Sequence, residues 1–253
     1  TAIANEAFRK TLYHGWDISE YYTRINAVTP MVCENNFYTM KGLVYTSDGT
    51  DYVELVREEM GLPKENGETL LRLDAELAEQ YKQQAIEQLT ALGVTFPVEM
   101  DYYIAAANQV SLDSANVLAQ SISNSLGDDF MKLNIKTYVS SSTQEVLNPH
   151  LQSITMNGWG ADYGDPQNYL GNEVSGNDSA YYSRTQNNIN DVEATEATQD
   201  LLDTYAEFTA MVAEADAITD DLDARYAAYA KAEAYMIDHV LTLPTYYNVP
   251  WCL

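Results

Sequence analysis

Among 253 residues the chain has only two cysteines, Cys33 and Cys252, and three histidines, His14, His150 and His239. No CxxC, HxxxH or HExxH spacing joins them, so a zinc site has no ligand set to draw on and no metal is expected. Whether the two cysteines pair is left open, and two lone thiols say little about redox compartment. Basic residues are scarce as well: 13 Lys and Arg face 38 Asp and Glu, a formal net charge of -25. Binding to nucleic acid or anionic lipid is driven by clustered cations that release counterions, and this chain has no such clusters. The acidity reads first as a solvated surface and second as a long-range attraction for cationic ligands. No apolar run approaches the ~18 residues that a membrane-spanning helix needs, so direct insertion by this segment is excluded. The chain opens at Thr1 without a basic and apolar leader, which reads as a processed protein or an excised piece.

What the chain does contain is an ordinary globular balance of 46% apolar and 20% charged residues, at a length near the upper edge of one domain. "NEAFRKTLYHGW" and "ISEYYTRI" are helical, broken between Gly15 and Asp17. "DYVELVREEMG" is a short helix closed by Gly61. The stretch from Asp74 to Gly93 repeats apolar residues at Leu73, Leu77, Tyr81, Ala85, Leu89 and Leu92 and predicts an amphipathic helix with Asp74 as its N-cap. "FPVEMDYYIA", "MKLNIKTYVS" and "LQSITMNG" alternate as strands. Between the first two, Leu112, Ala115, Leu118, Ile122 and Leu126 form one helical face. Two further helices follow, the second with Leu222, Tyr226, Tyr229, Ile237 and Val240 on one face, and "LTLPTYYNVPWCL" closes the chain as an extended segment. Strands alternating with helices predict an α/β fold, a parallel or mixed sheet flanked by helices. In such sheets ligands gather at loops beyond the carboxyl ends of strands.

The loop "GWGADYGDPQNYL", Gly158 to Leu170, leaves the third strand at such a position. Its glycines suggest a turning backbone that a ligand can approach closely. Asp165 before Pro166 has the form of a helix start, with a capping carboxylate and proline in the first turn, and is read as structural. Asp162 has no comparable local task beyond an Asx turn. Trp159, between two glycines, reads as a ring lining a cleft, against the alternative of a core tryptophan. The GxGxxxG spacing is one residue off the dinucleotide fingerprint, and two aspartates stand where phosphates would go, so nucleotide binding is disfavoured and no cofactor is expected. Two carboxylates three residues apart admit a hydrolase, but no second acidic site and no Ser/His/Asp or Cys/His arrangement supports one. The chemistry left is binding of a positive charge beside an apolar or planar part.

The same loop resembles the "W-x-A-D-Y-x-[DE]-P" stretch of the family 5 extracellular solute-binding proteins of bacterial ABC transporters, closest to their oligopeptide-binding branch. "FRKTLYHGWD", "LGDDFMKLNIKTYV", "YAKAE" and "LPTYYNVPW" resemble further family elements in the family's order. The resemblance implies a type II periplasmic-binding-protein-like fold, with residues 1–253 forming the C-terminal lobe of a two-lobed protein whose N-terminal lobe and signal or lipid anchor lie upstream. It implies an extracytoplasmic lipoprotein or periplasmic protein without catalytic activity, whose partners are a peptide ligand, ABC transporter permease subunits and its own N-terminal lobe.

Residue by residue, the resemblance makes Asp162 the partner of the peptide α-ammonium group and Trp159 an aromatic beside it. Gly158 becomes a backbone position near the ligand, and Tyr246 and Tyr247 become cleft tyrosines. Two departures stand out. Met156 occupies the place of a basic residue that helps hold the peptide carboxylate, and no Arg or Lys occurs between Lys136 and Arg184. Gly160 occupies the place of a cysteine that is disulfide-bonded in some relatives. Peptide length preference is therefore open, and a non-peptide solute such as an oligosaccharide or a metal complex is the alternative within the family. A peptide-sensing receptor module is another.

Overall fold

The computed structural model describes residues 1–63 and 71–248, and these divide into two compact units. The chain passes between the units at 34/35, 71/72, 157/158 and 244/245. In chain order the α-helices are α1 (Glu6–Gly15), α2 (Ser19–Ile25), α3 (Tyr52–Glu59), α4 (Ala75–Ala91), α5 (Gln109–Leu126), α6 (Gln167–Leu170), α7 (Tyr181–Thr185), α8 (Gln199–Asp216) and α9 (Leu222–Asp238). The strands are β1 (Val98–Ala105) and β2 (Met131–Tyr138). No described helix is long and apolar enough to cross a membrane.

The first unit holds α1, α2, α4, α5 and both strands. Asp74 caps α4 by accepting from the backbone N–H groups of Glu76 and Leu77, both at 3.0 Å. Asn5 and Asn108 cap α1 and α5 in the same way. These side chains satisfy amide donors that the first helical turn leaves without partners. Asp74→Ala is expected to cost about 1 kcal/mol, read as a lowered urea midpoint with an unchanged slope.

Helix α1 packs on α4, and α5 crosses over to join β1 and β2 in parallel from Val98↔Met131 to Ala105↔Tyr138. Phe130 is stacked between Phe8, at 5.2 Å, and Phe96, at 5.6 Å, and is fully buried. Ala115, Leu118, Ile122 and Leu126 are buried as the helical face required, whereas Leu92, at the end of the α4 stripe, is 41% exposed.

The third expected strand does not form. Residues 151–156 do alternate between exposed and half-buried positions, which is the period read in the sequence. Yet this segment forms no ladder with β1 among the described residues; it meets β1 at Asp101, whose O accepts from Ser153 N at 2.9 Å and Ile154 N at 3.4 Å and whose N donates to Ser153 Oγ at 3.1 Å. Alternation reports two-sided exposure; a ladder also needs a continuous edge to bond. Near the end of the described chain, Tyr246 makes an isolated antiparallel bridge with Glu34. Cys33 is buried, and Cys252 lies outside the described residues, as does the "VPW" of the closing segment.

The second unit holds α3 and α6 to α9. Helix α9 packs on α3 and α8 around fully buried Tyr52, Val56, Phe208, Tyr229, Met236 and Ile237. Leu222, assigned to this face, stands at the first position of α9 and is 59% exposed. In its place the face carries Glu233, 0% exposed. Its carboxylate accepts from Tyr38 N (2.9 Å), Thr39 N (3.0 Å), Thr39 Oγ1 (2.5 Å) and Tyr52 Oη (3.1 Å). Four donors replace the water this group gives up, which is what a buried carboxylate requires.

Candidate functional site

The loop from Gly158 to Asp165 lies wholly in the second unit. None of its three glycines has a positive φ, and a Cβ at Gly158 or Gly160 would meet nothing within 4 Å. Their expected use in turning the backbone is therefore not what the structure shows. What they provide is open space beside the main chain on either side of Trp159.

The loop is held from beneath by α6. Asn168, 7% exposed, accepts on one oxygen from both Trp159 Nε1 (2.8 Å) and Asp162 N (3.0 Å). Tyr169 Oη donates to Trp159 O at 3.4 Å. The indole of Trp159 is half-buried, with Tyr181 at 5.7 Å and Tyr182 at 5.9 Å between ring centroids. The two tyrosines meet each other edge to face at 5.3 Å. Trp159 is neither a core residue nor a free ring; it is one wall of a three-ring cluster. Tyr163 is exposed and donates its hydroxyl to Gln167 Oε1.

Asp162 is exposed, and its carboxylate takes no hydrogen bond or ion pair from the described residues. The Asx turn considered for it is absent. Asp165 is the opposite case. Its Oδ1 accepts from Gln167 N at 2.9 Å, in the manner of a cap. Its two oxygens also receive Arg225 Nε (2.9 Å) and Nη2 (3.1 Å) in a bidentate pair. Arg225 further donates to the carbonyls of Ala215, Asp216 and Ile218 at the end of α8 and to Tyr229 Oη. Pro166 is buried and its carbonyl accepts from Tyr169 and Leu170. The guanidinium is thus engaged by Asp165, with Asp216 Oδ1 also at 3.3 Å, while Asp162 has no ion-pair partner among the described residues.

Two side chains that hold this loop, Asn168 and Arg225, carry no local signal in the sequence. Asn168 stands two residues after Pro166, where it reads as part of a polar helix start. Arg225 lies 60 residues from Asp165 in "DDLDARYAAY", where it reads as a solvated charge. Tyr246 and Tyr247 belong to the first unit. Tyr246 is half-buried with its ring 5.6 Å from Tyr21, and Tyr247 N donates to Cys33 O at 2.8 Å. Among the described residues no three His, Cys, Asp or Glu side chains gather into a metal-binding group.

The parallel β-α-β core makes this an α/β fold of the periplasmic-binding type. No family model matches the chain. It is 30% identical over 266 aligned residues to the oligopeptide-binding protein SarA of Streptococcus gordonii, and 26% identical over 259 to the oligopeptide-binding protein AliB of Streptococcus pneumoniae. Each alignment covers 96% of this chain and 38% of the relative, so the chain spans well under half the length of these curated relatives. Among solved structures, OppA of Listeria monocytogenes bound to peptide matches with a TM-score of 0.65 at 18% identity, over 97% of this chain and 40% of that one. A peptide-binding protein of a peptide ABC transporter matches with a TM-score of 0.67 at 18% identity, over 97% of this chain and 92% of that one. Over nearly its whole length the chain is thus similar to a segment of the oligopeptide-binding proteins.

Proposed function

We propose that this chain is one lobe of an extracytoplasmic, transporter-linked solute-binding protein that takes peptides with a free amino terminus, the α-ammonium group pairing with Asp162. The observation that carries this reading is the exposed carboxylate of Asp162, without a partner among the described residues, in the same loop as the half-buried ring of Trp159. Uncompensated negative charge beside an aromatic wall suits a cation attached to an organic body. The sequence likeness to oligopeptide-binding proteins of streptococci supports peptides as that body. Gly158 and Gly160 leave space where a side chain would stand, room for an extended ligand strand that binds without reading side chains.

In this reading the ligand lies between this lobe and a second one. Closure of the lobes presents the complex to a permease. No reaction is catalysed.

Asp162→Asn removes the charge and keeps the shape. The expected result is a roughly 10- to 30-fold weaker affinity for peptides with free amino termini, the value of one partly desolvated ion pair of about 1.4 to 2 kcal/mol. Calorimetry with free and acetylated peptides checks it. Peptide turnover by the wild-type chain that disappears in the variant would make Asp162 catalytic and overturn the binding assignment.

A further inference from the structure

We propose that Asn168 is the positioning residue of this site. It sets the indole of Trp159 and the backbone turn that presents Asp162 as one unit, and so fixes how far the cation of a ligand stands from the group that meets the ring. The inference rests on the peptide-binding reading above for its ligand, and on geometry alone for its mechanism.

An amide oxygen has two acceptor positions, and that of Asn168 uses both, one for the Trp159 indole at 2.8 Å and one for the Asp162 amide at 3.0 Å. The oxygen is itself well held. Asn168 N donates to Asp165 O at 3.0 Å, Asn168 O accepts from Asn172 Nδ2 at 2.8 Å, and the neighbouring Tyr169 and Leu170 are buried. Asp165 is in turn clamped by Arg225. A fixed acceptor thus reaches up from a buried turn of helix and holds two points of an otherwise open loop.

The choice of side chain matters. Serine or threonine is too short for its oxygen to reach both donors. An aspartate would reach them, but would place a second negative charge against the loop that carries Asp162. The amide supplies the same fork without charge, leaving Asp162 as the carboxylate a ligand meets. Such an arrangement favours a ligand in which an ammonium or guanidinium group is followed at a set distance by an apolar or planar part.

The test uses the 253-residue chain labelled for NMR, with Asn168→Leu and Asn168→Thr. Trp16, whose indole donates to Ser121 Oγ at 2.8 Å in the other unit, is the remote reference, and Phe208 and Ile237, fully buried in the same unit as Asn168, report whether each variant is folded. The threonine variant serves if the leucine variant is not. In a folded variant the Trp159 indole N–H and the Asp162 amide are expected to shift upfield together. Both should exchange about tenfold faster, as for the loss of an ordinary hydrogen bond, with the Trp16 indole unmoved.

Binding of a free tripeptide should weaken about tenfold, and the preference over its acetylated form should shrink. Wild-type shifts and exchange at both sites, or an unchanged preference for free amino termini, would overturn the role of Asn168. If the wild-type chain binds neither peptide, the peptide reading fails. The role of Asn168 then stands or falls on the paired shifts.

Discussion

Glu173→Gln is expected to reduce the pH dependence of stability between pH 4.5 and 7 by about 3 kcal/mol. Glu173 is 6% exposed and accepts from Tyr38 Oη and Asn187 Nδ2, both at 2.9 Å. No cation pairs with it among the described residues, and burial pushes its carboxyl up to about 7 from 4.5. A raised carboxyl binds its proton more tightly folded than unfolded. Below pH 4.5 both states are protonated and the group costs nothing. As pH rises toward 7 the unfolded state ionises first, and the folded state loses about 3 kcal/mol that it does not regain at higher pH.

Glu233, also raised by burial, acts in the same direction. Glu145 acts oppositely and elsewhere. Its carboxylate accepts from Val139 N, Ser140 N and Ser141 N and is held at about 2, so its stabilisation is lost only as pH falls from 4.5 toward 2. Glutamine at 173 can accept from Asn187 and donate to the Tyr38 hydroxyl, so it mimics the protonated acid. Urea unfolding at pH 5 and pH 7.5 checks this. The wild type should be less stable at the higher pH, and the variant should show a clearly smaller difference. Equal differences in the two proteins would mean that Glu173 does not carry the effect.

The second large effect is expected at Arg225. Its guanidinium binds both oxygens of Asp165 and caps three carbonyls at the end of α8, with its side chain 14% exposed against 19% for Asp165. It also lies over the ring of Tyr229, 4.8 Å from its centroid. Arg225→Ala leaves a largely buried carboxylate without its cation and strips the helix end, a loss of about 3 kcal/mol. Arg225→Lys should recover less than half of that, because an ammonium cannot reproduce the planar two-point contact. Thermal unfolding of the three proteins checks the order. Full recovery by lysine would show that charge alone matters. In both variants the Gly158 to Asp165 loop should also loosen, since Asp165 closes the loop that carries Asp162.

How much of this was legible in the sequence differs by element. Helix α4 was legible, because Asp74 and the apolar spacing act within one helix and need nothing from the rest of the chain. The alternation that predicted β1 and β2 was a sound signal there. At Leu151 to Met156 it marked a segment exposed on alternate residues but without a ladder among the described residues. Local pattern does not contain the bonding partner. The loop drew notice through its Trp, Asp and Gly content, yet its glycines turned out to supply space rather than unusual backbone angles.

What holds the loop was not legible, for a physical reason. Asn168 and Arg225 act on the loop through polar contacts with partners 6 to 60 residues away, and such contacts leave no period in the chain. Glu233 illustrates the same limit. In "YAKAE" it reads as a solvated helix residue, and only the packing of α9 against the Tyr38–Thr39 backbone shows it buried and satisfied.

The central claim is that Asp162 takes the amino terminus of a peptide beside Trp159. Its most direct test is an NMR titration of the labelled chain with millimolar tri- to pentapeptides, free and acetylated at the amino terminus, a range that detects weak binding. The expected result is a saturable shift of the Trp159 indole and of the amides around Asp162 with free peptides, greatly reduced on acetylation and in Asp162→Asn. Equal shifts with free and acetylated peptides, or shifts confined to residues outside the Gly158 to Asp165 loop, would contradict the claim.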